Sequence, residues 1–220
     1  MPLSLALLAL LAGCAPDDAP FARARVIGDP SEAIGGPKAL ATTGDWLLEN
    51  DRVRFAILDA GYSPGPSIFG GTVVDADLQR WDPAYAHGRG ADLLAEVFPT
   101  ANMNVTEALE PGQVEIVADG SDGGAAAIRV TGGARGFLSM LDTLWGLVRA
   151  PDLQLVTDYV LEPGEPFLRI RTTVTCGVGE PRAEGDPMPP VDAGTPLIEV
   201  AITTGLVVGD FFLSGGSTDV

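Results

Sequence analysis

Apolar and polar residues alternate with a period of two along several short segments of this chain. Val53, Phe55 and Ile57 alternate with polar or small neighbours, which is the pattern of a half-buried β-strand. The alternation recurs in segments that turn-forming residues separate, and the pattern predicts three antiparallel hairpins. These pair 46–48 with 53–58, 114–116 with 128–130, and 155–161 with 167–176.

The residues between these segments have the chemistry of turns. Asp, Gly and one Ser make up residues 119–124, between the two segments of the second hairpin. Pro163 and Gly164 stand at the centre of 162–165, where proline fixes one φ and glycine accepts the positive φ of a type II turn. A last strand pair is predicted at 197–203 and 206–213.

Helical patterns are few. Residues 92–98 are compatible with two helical turns that end at Pro99. Residues 138–148 have apolar residues at helical spacing, and a strand is the alternative there. Many short strands with one or two short helices predict an all-β fold, an antiparallel β-sandwich. The apolar segment 206–213 has no capping element after it, so we expect the sandwich to be incomplete at its C-terminus and to belong to a longer polypeptide or a truncated reading frame.

The N-terminus has the pattern of an export signal. Residues 3–11 are almost wholly apolar but too few to span a bilayer. The segment Leu11-Ala12-Gly13-Cys14 resembles a bacterial lipobox, which implies cleavage before Cys14 and acylation of that cysteine. The segment before it contains no Lys or Arg, unlike most signals. A buried N-terminal helix is the alternative, which Pro2, Gly13 and Pro16 disfavour.

These patterns divide the chain into three parts. Residues 1–13 are the predicted lipoprotein signal peptide, 14–43 a flexible tether rich in Ala, Pro, Asp and Gly, and 44–220 the sandwich. Within the tether, we expect ordered structure to begin around residues 24–27. We expect a cell-envelope location, with the chain anchored through lipid on Cys14 at the outer membrane or on a periplasmic face. Cys176 would then lack a disulfide partner, and its place in an alternating strand predicts a buried, inert thiol.

Composition and charge narrow the function classes. The chain has 13 Lys and Arg against 30 Asp and Glu, a formal net charge of −17. A chain this acidic repels phosphate, so nucleic acid is excluded as an expected partner. One histidine and two cysteines do not suffice for a His or Cys metal site, and we expect neither metal nor cofactor.

Four stretches of the body carry a family resemblance: residues 44–55, 70–78, 158–164 and 209–212. Together they resemble the N-terminal β-sandwich of large secreted lipoproteins of myxobacteria-like bacteria, a galactose-mutarotase-like supersandwich. The resemblance implies that carboxypeptidase-regulatory-like modules and a PHP-type metallohydrolase domain follow. A mutarotase activity would need two histidines, and only His87 is present.

The remaining candidates for chemistry are carboxylates and aromatic rings. Asp75 and Asp77 are two residues apart, so on a strand their side chains lie on the same face. The pair could act in catalysis, bind a cation, or simply form the polar, solvated face of the strand. Asp92 or Glu96 would be the third acid of a carbohydrate-active cleft. The Asp/Gly loop 119–124 lacks EF-hand spacing and fits a turn. For Trp46, Trp81 and Trp145 we expect core or edge packing rather than sugar stacking.

Three hypotheses follow from the sequence. The leading one is a lipid-anchored extracytoplasmic module without catalytic machinery, which binds a carbohydrate or protein ligand or supports a downstream domain. The alternative is a carbohydrate-active enzyme that uses only Asp and Glu. The third is a calcium-stabilised adhesion module.

Overall fold

The computed structural model describes residues 19–85, 87–100, 104–136, 153–176 and 196–202. Two antiparallel sheets form an all-β sandwich, which confirms the predicted fold class. The strands are β1 (Ala22–Val26), β2 (Trp46–Asn50), β3 (Val53–Ile57), β4 (Val73–Leu78), β5 (Asn104–Glu107), β6 (Val114–Asp119), β7 (Ala126–Gly136), β8 (Leu153–Leu161), β9 (Arg169–Cys176) and β10 (Pro196–Ile202). The first sheet has the order β1-β2-β3-β4, and the second has β10-β9-β8-β7-β5 with β6 also paired to β7.

The main core lies between the sheets. Alternation along β1 and β2 turns Ala22, Ala24 and Leu48 inward, where they join Ile128 and Tyr159 of the second sheet in one apolar cluster. The Tyr159 hydroxyl donates to the Gly71 carbonyl at 3.0 Å, which satisfies the buried phenol. In β2 and β3 this alternation was visible in the sequence, whereas β1 was not predicted as a strand.

The three predicted hairpins are present as β2–β3, β6–β7 and β8–β9. In the Asp/Gly turn the Asp119 and Asp122 carboxylates accept the Ser121 and Gly124 backbone N–H groups, each at 2.9 Å, so this segment acts as a turn. Asn50 fastens the β2–β3 turn to the β8–β9 turn, because its side-chain amide donates to the Glu162 and Glu165 carbonyls.

Two expectations need correction. The predicted helix at 92–98 is irregular and extended: Val97 exchanges both backbone hydrogen bonds with Val73 of β4. A two-turn helix is too short to be stable without tertiary support, and in this protein the tertiary bonds favour an extended chain. The predicted tether contains β1 and a short 3₁₀ turn, Pro30–Glu32, so ordered structure begins before residue 44.

The regular structure within residues 22–43 comes from contacts with residues distant in sequence. Ile27 and Ile34 are fully buried with Leu47 and Ala56, in a second small core on the outer face of the first sheet. In sequence, the few large apolar residues of this segment, such as Ile27 and Ile34, stand among the Pro, Gly, Ala and Asp typical of a linker and show no strand alternation.

Some predictions fall outside the described residues: acylation of Cys14, the 138–148 element with Trp145, and the strand at 206–213. Cys176 ends β9 opposite Leu153, and the state of its thiol is likewise outside them. Within the described residues, no helix is long and apolar enough to cross a membrane.

Candidate functional site

The outer face of the first sheet carries a row of charged side chains. Strand register places Arg23, Glu49, Arg54 and Asp77 side by side across β1 to β4. One step further along the strands, Asp75 lies opposite Ala56. Loop residues cover part of this face, so carboxylates that a strand pattern would place in solvent are enclosed.

Glu49 is the centre of an arginine cluster. Glu49 is only 3% exposed. Its carboxylate accepts hydrogen bonds from Arg23 at 3.2 Å, Arg25 at 3.4 Å and Arg54 at 3.0 Å. Burial alone would raise the pKa of Glu49, but the hydrogen bond from Arg23 and the charges of Arg54, Arg23 and Arg25 outweigh it and lower the pKa. Glu49 is therefore held ionised as the shared counter-ion of arginines from two neighbouring strands.

Asp75 is enclosed by the loop that precedes β2. The residue has no exposed surface, and its two carboxylate oxygens accept the Leu40 and Ala41 backbone N–H groups at 2.7 and 3.1 Å. Burial raises the pKa of Asp75 despite these two bonds, and the neighbouring Asp45 raises it further. The carboxylate thus fixes a loop to the sheet.

Asp92 completes an acid corner with Asp75. It has no exposed surface, and its Oδ1 accepts the Ala76 and Leu94 N–H groups at 2.8 and 3.1 Å. Its Oδ2 is buried and has no hydrogen-bond partner among the described residues. Burial, with smaller contributions from the charges of Asp75 and Asp77, raises the pKa of Asp92 to about 7. Asp92 therefore carries its proton through much of the mildly acidic range.

Asp77 behaves differently from its neighbour two residues earlier. Arg80 holds its carboxylate through two nitrogens, at 3.0 and 2.9 Å, and the Ala91 N–H donates to it at 2.8 Å. Burial opposes ionisation, but the hydrogen bonds from Arg80, Ala91 and Leu78 lower the pKa of Asp77. Asp75 and Asp77 share a face as predicted, yet each is bound to its own loop.

Glu96 belongs to a separate cradle of hydroxyl groups. It is 1% exposed and accepts from the Ser63 hydroxyl at 2.8 Å, the Thr72 hydroxyl at 2.6 Å, and both the backbone and hydroxyl of Ser67. A Cβ on Gly65 would lie 2.3 Å from its carboxylate, so a larger residue there would displace the Glu96 side chain from its hydroxyl partners. Glu96 fastens the loop between β3 and β4 and does not join Asp75 and Asp92.

The chemistry open to these acids is limited by what they already bind. The divergent pKa values of Asp92 and Asp77 resemble those of an acid–base pair, which is the observation most favourable to an Asp/Glu enzyme. However, Asp75, Asp92 and Glu96 are buried beneath loops, whereas a glycosidase pair must face its substrate across a cleft. A cavity beside Tyr159, lined also by Thr72, Phe98 and Thr157, includes none of these acids. In the described ranges, no group of three or more His, Cys, Asp or Glu is arranged to hold a metal ion.

Comparisons of the chain with protein-family models, curated proteins and solved structures find no match. Function is therefore inferred from the chain's own residues.

A group of aromatic and arginine side chains lies at the surface beside the first sheet. Phe21 and Trp81 meet edge-to-face, with ring centroids 6.5 Å apart; Arg23 lies 6.0 Å from the Phe21 ring, and Arg80 lies 4.6 Å from the ring of Tyr85. Trp81 is 67% exposed, so of the core or edge packing expected for it, packing in the core is excluded. We call these five residues the aromatic surface.

The other candidates differ from Trp81. Trp46 packs against the main core and donates its indole N–H to Asp59 at 3.0 Å, as expected for a packed tryptophan. His87 lies in the loop after the 3₁₀ turn Pro83–Tyr85, with a positive φ of 60°. Sequence reasoning missed Phe21, because its partner is 60 residues away and no local pattern joins them.

Proposed function

We propose that this chain is a lipid-anchored β-sandwich of the bacterial cell envelope that binds or supports a partner and performs no catalysis with its carboxylates. The partner would be a carbohydrate or a protein, including a domain that follows in a longer polypeptide. The anchor is lipid on Cys14, each buried methylene of which contributes about 0.8 kcal/mol to membrane binding.

One observation carries the non-catalytic part of the proposal. Three of the four candidate acids each bind a loop: Asp75 binds residues 40 and 41, Asp77 binds Arg80 and Ala91, and Glu96 binds the Ser/Thr cradle. The fourth, Asp92, binds the Ala76 and Leu94 N–H groups through one oxygen. Removing a carboxylate with such partners leaves donors unsatisfied, so these residues serve the fold. Among the described residues, the side chains exposed to a partner include aromatic rings and arginines such as Trp81 and Arg23.

The anchor is tested by metabolic labelling with a palmitate analogue in a bacterial host, followed by membrane fractionation. We expect Cys14→Ser to lose the label and to move from the membrane to the soluble fraction. Cys176→Ser is the matched control and should keep both the label and the membrane association. A Cys14→Ser protein that stays labelled, or an unlabelled wild-type protein, would refute the anchor.

A further inference from the structure

The aromatic surface lies at one end of the first sheet. Phe21 directly precedes β1, whose first residue pairs with Asn50 at the end of β2; Trp81 follows β4, whose last residue pairs with Val53. Tyr62 lies at the opposite end, since it follows β3 beyond the Trp46–Ile57 pair, and it is 81% exposed. The first sheet thus has an exposed aromatic side chain at each end, only one of them close to the N-terminus.

The position of Cys14 limits where the aromatic surface can be. Phe21 is seven residues beyond Cys14 in the sequence. Even a fully extended chain of that length spans only about 25 Å. When lipid on Cys14 is inserted in a bilayer, the end of the sheet that carries Phe21 and Trp81 therefore stays within about 25 Å of the headgroups.

The side chains at this end have the chemistry of a membrane interface. Trp and Tyr are enriched at headgroup level, because there the apolar ring can contact lipid while the polar N–H or O–H group stays hydrated. Arginine binds phosphate through its planar fork, and the Arg23 side chain is 54% exposed. Arg23 is already paired with Glu49 and Arg80 with Asp77, so this surface carries little net charge of its own.

We propose that the aromatic surface lies on the bilayer that holds Cys14, with Phe21 and Trp81 at the level of the headgroups and Arg23 facing lipid phosphate. The inference rests on the proposed lipid anchor. Because the body of the chain keeps the charge of −17, the favoured partner is a zwitterionic phospholipid surface, and anionic lipid weakens the contact. A contact too weak to hold a free chain is sufficient in this arrangement, since a short tether gives a millimolar effective concentration.

The test measures how strongly phosphatidylcholine with brominated acyl chains quenches tryptophan fluorescence of the full acylated chain in vesicles. We expect quenching in the wild-type protein and loss of most of it in Trp81→Phe. The matched control moves the fluorophore to the other end of the sheet: Tyr62→Trp combined with Trp81→Phe should not restore the quenching. Adding phosphatidylglycerol should reduce the quenching of the wild-type protein.

Acylation is verified by mass spectrometry of the same sample, which separates the two proposals. An unmodified Cys14 would refute the anchor itself. An acylated, vesicle-bound protein whose quenching is equal in wild type and Trp81→Phe would refute only the membrane-facing surface. Loss of lipid quenching together with a Trp81-dependent spectral change on adding soluble oligosaccharide would also overturn it, in favour of a saccharide on the same rings.

Discussion

Two buried carboxyl groups of the first sheet and its covering loops, Glu49 and Asp92, have opposite environments. Glu49 is surrounded by three arginines, which lower its pKa although the residue is almost fully enclosed. Asp92 accepts two backbone N–H groups on one oxygen, and the charges that shift its pKa are those of neighbouring acids. Burial disfavours the charge of both, and only at Glu49 do opposite charges and hydrogen bonds outweigh it.

The difference shows how one face can serve two structural purposes. The arginine cluster joins β1, β2 and β3 through side chains, and so it holds the sheet together where strands meet. The acid corner instead receives backbone N–H groups from covering segments, and so it holds those segments on the sheet. The first arrangement needs an ionised acid, and the second tolerates a neutral one at Asp92.

The largest expected effect is in the arginine cluster. Glu49→Gln removes the negative charge that three arginines share, and we expect the free energy of unfolding to fall by about 3 kcal/mol, as when a buried ion pair loses one partner. Urea unfolding followed by circular dichroism measures it. Glu115→Gln, on the exposed face of β6, is the control and should change stability by less than about 0.5 kcal/mol. Equal effects at the two positions would contradict the role given to Glu49.

A smaller loss is expected in the acid corner at Asp75. Asp75→Asn replaces one accepting oxygen with an NH₂ group, which would face the N–H of Leu40 or Ala41. We expect a loss of about 1 to 3 kcal/mol, measured by the same unfolding experiment. Amide hydrogen exchange should become faster mainly in residues 36–45, because that loop loses its hydrogen bonds to Asp75. A uniform increase in exchange over the whole sheet would contradict this assignment.

The fold was more predictable than the candidate site, because strand alternation is local and the contacts of the acids are not. Val53, Phe55 and Ile57 show in sequence which face they bury, and β3 lies where they predict. β1 went unrecognised, because its buried residues are small alanines in a segment with the composition of a linker. Arg23 and Glu49 are 26 residues apart, so only strand pairing reveals their contact.

The helix predicted at 92–98 is absent for the same reason: contacts with distant residues, which the local pattern does not show, decide the structure. Its apolar residues fit a helical spacing, but Asp92, Glu96 and Val97 each bond to a different residue distant in sequence. Asp75 and Asp77 were correctly placed on one face, whereas their burial depends on loops that the strand pattern does not contain.

The smallest expected effect, and one of opposite sign, is at Asp92. Asp92→Asn keeps an oxygen for Ala76 and Leu94 and removes the charge from the acid corner. We expect it to raise stability by about 1 kcal/mol at pH 8, where the native carboxyl is ionised among acids. Asp122→Asn, in an exposed turn, is the control for the substitution itself and should leave stability at pH 8 nearly unchanged. An Asp92→Asn protein less stable than wild type at pH 8 would contradict the expectation.

The most direct test of the contrast between Glu49 and Asp92 is the free energy of unfolding from pH 4 to pH 8, compared between wild type and Asp92→Asn. The folded pKa of Asp92, about 7, is above its ordinary value of 3.8, so the folded protein binds the extra proton between these values. The stabilisation that protonated Asp92 gives the folded state is present at pH 4 and is lost as the pH rises through 7. The account predicts that wild type loses stability relative to Asp92→Asn over this range. A difference that is constant with pH, or that changes in favour of wild type as pH rises, would contradict it.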